Sequence, residues 1–242
     1  MARNHFDILI LLGRPASGKS EVMDFLTKTS PIERAERFHI GAIDMIDDFP
    51  MLWVWFEEDA ILEKLMNKPR LHTDKGGYFL YQYQWDLLIE RISMEYRKHQ
   101  RGYADYHAEH TTLIEFSRGT EHGGYRSAFE HLSDDILQRA AILYIDVSYE
   151  ESKRKNRRRF NPDRPDSILE HGLPDEKMER LYKTIDWEEI ISGHRDYLPI
   201  KGHQVPFVIL ENEPELTDDF ARLAPALEKS LAKLWALRNP VK

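Results

Sequence analysis

A chain of 242 residues, 41% hydrophobic and 31% charged, can bury a sizeable core and reads as one ordinary globular domain spanning 1–242. Its 34 basic and 42 acidic side chains leave a net charge of −8. That balance argues against a general nucleic-acid binder but not against a small anion held by local geometry. The chain has no cysteine, so disulfides, thiolate catalysis and cysteine-ligated zinc are excluded. The leading apolar run, Ile8 to Leu12, is too short for a signal peptide or a membrane span. A cytoplasmic protein without a membrane partner is therefore expected.

Five apolar, β-rich runs follow one another: Phe6–Leu12, Phe38–Ile43, Thr111–Phe116, Ala141–Val147 and Val205–Leu210. The first is nearly continuous, as in a strand covered on both faces. Helical stripes lie between them. Val22, Phe25 and Leu26 share one face; Leu80, Tyr83, Leu87, Leu88 and Ile92 form a second stripe; Ala128, Phe129, Leu132 and Ile136 form a third. Phe220, Leu223, Leu227, Leu231 and Leu234 form the last. Ser148 followed by Glu151 reads as a capping box after the fourth strand. Strands alternating with helices imply a parallel sheet inside an α/β sandwich. The spacer at 45–110 is too long for a simple crossover and is expected to be a helical excursion.

The stretch Gly13-Arg14-Pro15-Ala16-Ser17-Gly18-Lys19-Ser20, with Glu21 after it, has the G-x-x-x-x-G-K-[ST] pattern between a strand and an amphipathic helix. Glycines at both ends permit backbone angles and a close approach that a β-carbon would block. Successive N–H groups then form an anion nest at a helix N-terminus. Lys19 is expected to reach the outer phosphates of a nucleoside triphosphate, and the Ser20 hydroxyl to ligate Mg²⁺.

Asn67-Lys68-Pro69-Arg70 lacks the aspartate of a guanine-reading motif. On its glycine loop the chain resembles the nucleoside and nucleotide kinases of the P-loop superfamily, with Ala16 where glycine is common. The resemblance implies a three-layer sandwich with five parallel strands in the order 2-3-1-4-5, a helical acceptor insertion at 45–110, and an arginine-bearing lid with its following helices at 148–200. It implies ATP and Mg²⁺ as cofactors. Asp44, just past the second run, would orient the acceptor, with Asp47 and Asp48 as substitutes whose competing role is to cap the helix beginning near Pro50. Glu115, ending the third run, would join Ser20 at the metal. Glu115-Phe116-Ser117-Arg118 loosely resembles the Glu-Arg-Ser element of deoxynucleoside kinases, which makes Arg118 a substrate contact.

The run "SYEESKRKNRRRFNPDRPD" follows the fourth strand, where these kinases carry their lid; Arg154 and Arg158 lie one helical turn apart and are the candidates for stabilising transferred charge. Arg70 is a further candidate for an anionic acceptor. The aromatics at 53–85 offer stacking surfaces, although most are expected in the core. His107 and His110 lack a metalloprotease spacing and a third ligand, so no metal is assigned to them. The expected activity is transfer of the γ-phosphoryl of ATP to a small hydroxyl or phosphate acceptor, nucleoside- or nucleotide-like. A P-loop ATPase or a nucleotide-gated switch is the alternative.

Overall fold

The computed structural model describes residues 4–160, 163 and 172–240. The strands are β1 (Ile8–Leu12), β2 (Ala42–Asp47), β3 (His110–Phe116), β4 (Ala140–Asp146), β5 (Tyr197–Ile200) and β6 (His203–Glu211). The helices are α1 (Lys19–Lys28), α2 (Pro31–Phe38), α3 (Asp48–Lys64), α4 (Tyr83–His99), α5 (Gly124–His131), α6 (Asp134–Leu137), α7 (Tyr149–Arg159), α8 (Asp175–Tyr182), α9 (Trp187–Ile191) and α10 (Phe220–Arg238).

The sheet order is β2-β3-β1-β4-β6-β5, so the expected five parallel strands are present in the expected order, with a sixth at the edge. This extra strand, β5, pairs antiparallel with β6. Lys201 and Gly202 connect them with φ of 47° and 82°, the left-handed pair that a two-residue hairpin requires. β5 is four residues long and contains Pro199, features that blunt an exposed edge.

β1 alternates between two cores. Ile8, Ile10 and Leu12 pack with Ile89, Ile92, Tyr125 and Trp187 on one face. Leu9 and Leu11 pack with Val22, Leu26, Phe38 and the α10 leucines on the other. Helices thus cover both faces of a parallel sheet, which is why β1 reads as an uninterrupted apolar run.

Three expected elements are corrected. Of the run at 38–43 only Ala42 and Ile43 are strand, the first two residues of β2. Ser30 caps α2, with Pro31 in its first turn, and His39 ends it in the left-handed conformation. The strand begins four residues later than expected, at Ala42. Of the stripe expected at Leu80, Tyr83, Leu87, Leu88 and Ile92, Leu88 and Ile92 are buried in α4 together with Ile89 and Tyr96, whereas Leu80, Tyr83 and Leu87 are exposed. The stripe at 128–136 is divided between α5 and α6, because Leu132 turns extended and Ser133 starts the second helix.

Candidate functional site

The β1–α1 loop takes the shape its glycines permit. Gly13 has φ 148° and Gly18 has φ 116°. A β-carbon on Gly13 would lie 2.5 Å from the Ile145 carbonyl oxygen, and one on Gly18 2.6 Å from Asn212 Nδ2. Ala16 also adopts the left-handed region, φ 55°, at the position where glycine is common.

Side chains from four other elements hold this loop from behind. Asn212 Nδ2 donates to the Ser17 carbonyl at 2.7 Å. Ser152 Oγ donates to the Pro15 carbonyl at 2.6 Å. Gly13 N donates to the Tyr125 hydroxyl at 3.2 Å, and that hydroxyl donates to the Gly13 carbonyl at 3.1 Å. Ser117 Oγ donates to the same carbonyl at 2.8 Å. The loop is a braced cup rather than a free turn.

Lys19 is buried and donates to the Arg14 carbonyl and to Ser117 Oγ, each at 2.9 Å. Its ammonium lies 3.7 Å from Glu115 Oε1. Burial lowers the Lys19 pKa below the usual lysine range, against the pull of Glu115 and Asp47. β2 and β3 pair in a register that sets Asp47 directly beside Glu115. Burial raises both carboxyls above the ordinary range; Asp47 is raised further by Glu115 and Asp48, whereas Lys19 opposes the rise at Glu115. Glu115 Oε2 is buried with no hydrogen-bond partner.

A cavity of about 110 Å³ opens over these groups, lined by Pro15, Ala16, Gly18, Lys19, Ser20, Glu21, Asp47, Asp48, Glu115, Arg118, Asn156 and Arg159 among others. Its oxygen donors, the Ser20 hydroxyl and the Glu115 carboxylate, suit a hard cation such as Mg²⁺. The unpartnered Glu115 Oε2 agrees with that fit. No cluster of three or more His, Cys, Asp or Glu suited to a metal occurs among the described residues. Mg²⁺ is commonly held by one or two carboxylates together with phosphates and water, so such a cluster is not required.

Several candidates stand elsewhere than the sequence suggested. Asp44 lies inside β2, three residues short of its end and therefore about 10 Å back along the strand. It accepts from the Tyr106 hydroxyl at 2.6 Å and pairs with His99 Nδ1 at 2.9 Å, outside the cavity lining. Asp47 reaches the cavity instead. It also caps α3, accepting from Phe49 N at 2.8 Å, so capping and cavity lining coincide in one residue.

Arg154 and Arg158 do share a face of α7, but that face meets Glu215, at 3.0 and 2.7 Å. Arg159, about 100° further around the helix, lines the cavity in their place. Of the expected lid, Asn161, Pro162, Arg164, Pro165 and Asp166 lie outside the described residues. Arg70 donates to Glu63 and to Thr73, remote from the cavity. Arg14 reaches the Lys183 carbonyl at 3.2 Å. Arg118 lines the cavity as expected, yet is 2% exposed and bound to Asp48 at 2.6 Å. Tyr125, Asn156 and Arg159 were not singled out from the sequence; Asn156 and Arg159 lay within a basic run that gave no reason to prefer one position. His107 is buried against the Tyr96 hydroxyl, and the His110 ring bonds the Tyr106 carbonyl.

A strand, the braced glycine loop and α1, in a sheet of order 2-3-1-4 with helices on both faces, define the kinase-like P-loop NTPase fold. No protein-family model matches the chain, and no curated protein is significantly similar to it. Among solved structures, it is similar to Kti12 from Chaetomium thermophilum in complex with ADP-AlF3, at 12% identity and a TM-score of 0.46, covering 95% of this chain and 98% of that one. An unliganded sugar kinase from Janibacter sp. has 12% identity and a TM-score of 0.44, covering 96% and 98%. Shikimate kinase from Acinetobacter baumannii in complex with shikimate has 13% identity and a TM-score of 0.36, covering 78% of each chain. No helix among the described residues is long and apolar enough to cross a membrane.

Proposed function

We propose that this protein transfers the γ-phosphoryl of ATP, with Mg²⁺, to the hydroxyl of a small acceptor. One observation carries this reading: the cup holding Lys19 and the paired carboxylates Asp47 and Glu115 adjoins a second, larger cavity whose lining is rich in aromatic side chains. A protein that only hydrolyses or senses nucleotide has no need of a second small-molecule site at the phosphate end.

The loop amides and Lys19 hold the donor's β- and γ-phosphates, Lys19 exchanging carbonyl partners for phosphate oxygens. Ser20 and Glu115 would hold Mg²⁺, which would supply charge neutralisation at the outer phosphates. Asp47 orients the acceptor hydroxyl and receives its proton, the task first assigned to Asp44. The hydroxyl oxygen bonds to the γ-phosphorus as the P–O bond to the β-phosphate breaks; ADP leaves and the proton passes from Asp47 to solvent. Arg159 faces the migrating charge from α7. The chemistry needs positioning and electrostatics and no protein nucleophile.

The test is γ-labelled ATP with a panel of nucleosides, sugars and other alcohols. Transfer of label to an acceptor is expected, together with its loss in Asp47→Asn at unchanged nucleotide affinity. Release of free phosphate alone, with no acceptor labelled, would identify an ATPase or switch instead.

A further inference from the structure

The second cavity, about 370 Å³, falls within the usual size range of small-molecule sites, roughly 300–1,000 Å³. It shares wall residues with the phosphate cavity at Phe49, Leu52, Trp85, Leu173 and Tyr182, so the two cavities adjoin.

One wall is an inverted helix. α3 turns Asp48, Trp55 and Asp59 into the protein and buries them. Its most regular apolar stripe, Phe49, Leu52, Trp53 and Phe56 at helical spacing, is only half-buried and lines the cavity. Such a stripe is ordinarily the one a helix places against the core. The opposite wall comes from α8, where Tyr182 and Leu181 face inward. Phe79 closes the space, its ring centroid 4.6 Å from that of Trp85 and 6.1 Å from that of Phe56.

The charges in this lining are already engaged. Arg180 binds Glu121, with Nε to Oε1 at 2.7 Å, and its guanidinium lies 4.1 Å from the Tyr78 ring centroid. Lys177 Nζ donates to the Gly77 carbonyl at 3.2 Å and lies 5.2 Å from the same centroid. An anionic acceptor would have to break the Arg180–Glu121 pair or draw Lys177 off the Gly77 carbonyl and the Tyr78 ring, and a polyhydroxylated one would lose water against aromatic walls.

We propose that the acceptor is an uncharged alcohol carried on a flat, mainly apolar ring system, and that phosphorylated, carboxylated and free-sugar acceptors are excluded; this rests on the phosphotransferase reading. The ring lies between the α3 stripe and α8 and presents its hydroxyl toward Asp47.

Calorimetry of the full chain with Mg²⁺ and a non-hydrolysable ATP analogue tests it. The probes are 2-naphthalenemethanol, its anionic counterpart 2-naphthoate, and D-glucose. The alcohol is expected to bind at least tenfold more tightly than either other probe. Phe56→Ala is expected to weaken it about tenfold while leaving affinity for the ATP analogue unchanged. Tighter binding of 2-naphthoate or glucose, or no binding of the alcohol, overturns the proposal in the unmodified protein, whatever the variant does. Binding of the alcohol without its phosphorylation by ATP supports the pocket assignment and removes the phosphotransferase reading. Phosphorylation of glucose in preference does the reverse.

Discussion

Removing Arg118 tests whether its ion pair with Asp48, in the wall of the phosphate cavity, is a buried structural one. Its guanidinium donates to Asp48 Oδ2 at 2.6 Å, to the Ser117 carbonyl at 2.7 Å and to the Trp85 carbonyl at 3.2 Å. The arginine and aspartate side chains are 2% and 10% exposed, so solvent screens the pair little. Arg118→Met keeps much of the apolar volume over Trp85 and Phe116 but leaves Asp48 uncompensated next to Asp47 and near Glu115. Breaking a buried pair from one side costs about 3–5 kcal/mol. Asp48→Asn in the same chain removes the uncompensated charge and should restore about 2 kcal/mol of that loss. Urea unfolding of the two single variants, the double variant and the parent measures the cycle. If Arg118→Met costs less than about 1 kcal/mol, the range of an exposed surface pair, the pair with Asp48 is not the buried one described and the reasoning fails.

Two further outcomes follow from the same geometry. Asp59 is buried and accepts from the backbone N–H groups of Leu71, His72 and Thr73 and from the Thr73 hydroxyl. Burial by itself would push its carboxyl up, but these hydrogen bonds outweigh burial and hold it below the usual range. A depressed carboxylate stabilises fully above its ordinary pKa of about 3.9, and that contribution is lost as pH falls through the folded-state value. Asp59→Ala should therefore cost about 3 kcal/mol at pH 7 by thermal or urea unfolding, with a gap that narrows only below about pH 4. A pH-independent gap would contradict the charged role. Ala16→Gly relieves a left-handed alanine and should raise stability by about 0.5–1 kcal/mol, net of the glycine's greater freedom when unfolded. Any destabilisation in a melting assay would contradict the φ of 55° at that position.

The glycine loop was legible in the sequence because the positive φ angles of Gly13 and Gly18 are local backbone demands that residue type alone signals. The acceptor side was less so, for identifiable reasons. β2 is an edge strand with a polar, partly exposed pattern, Met45 being 49% exposed, so it carries no apolar run to mark it. The apolar residues just before it, Phe38 and Ile40, are buried from the end of α2 and the turn beyond. That displacement moved the expected carboxylate from Asp47 to Asp44. Most aromatics at 53–85 read as core because apolar composition records which side chains avoid water, not what covers them. That Asp59 faces inward depends on a loop twelve to fourteen residues away, which no local pattern reveals. In α7, spacing correctly paired Arg154 with Arg158, but only the packing of the helix shows that their shared face meets Glu215.

The most direct measurement is calorimetric titration of Mg²⁺ and a non-hydrolysable ATP analogue into the parent chain and into Lys19→Ala. The account predicts one site per chain in the parent and at least a tenfold loss of affinity in the variant, with folding unchanged by circular dichroism. Equal affinity in the two proteins, or no binding to the parent, would contradict a phosphate grip by this loop, and the transfer chemistry with it.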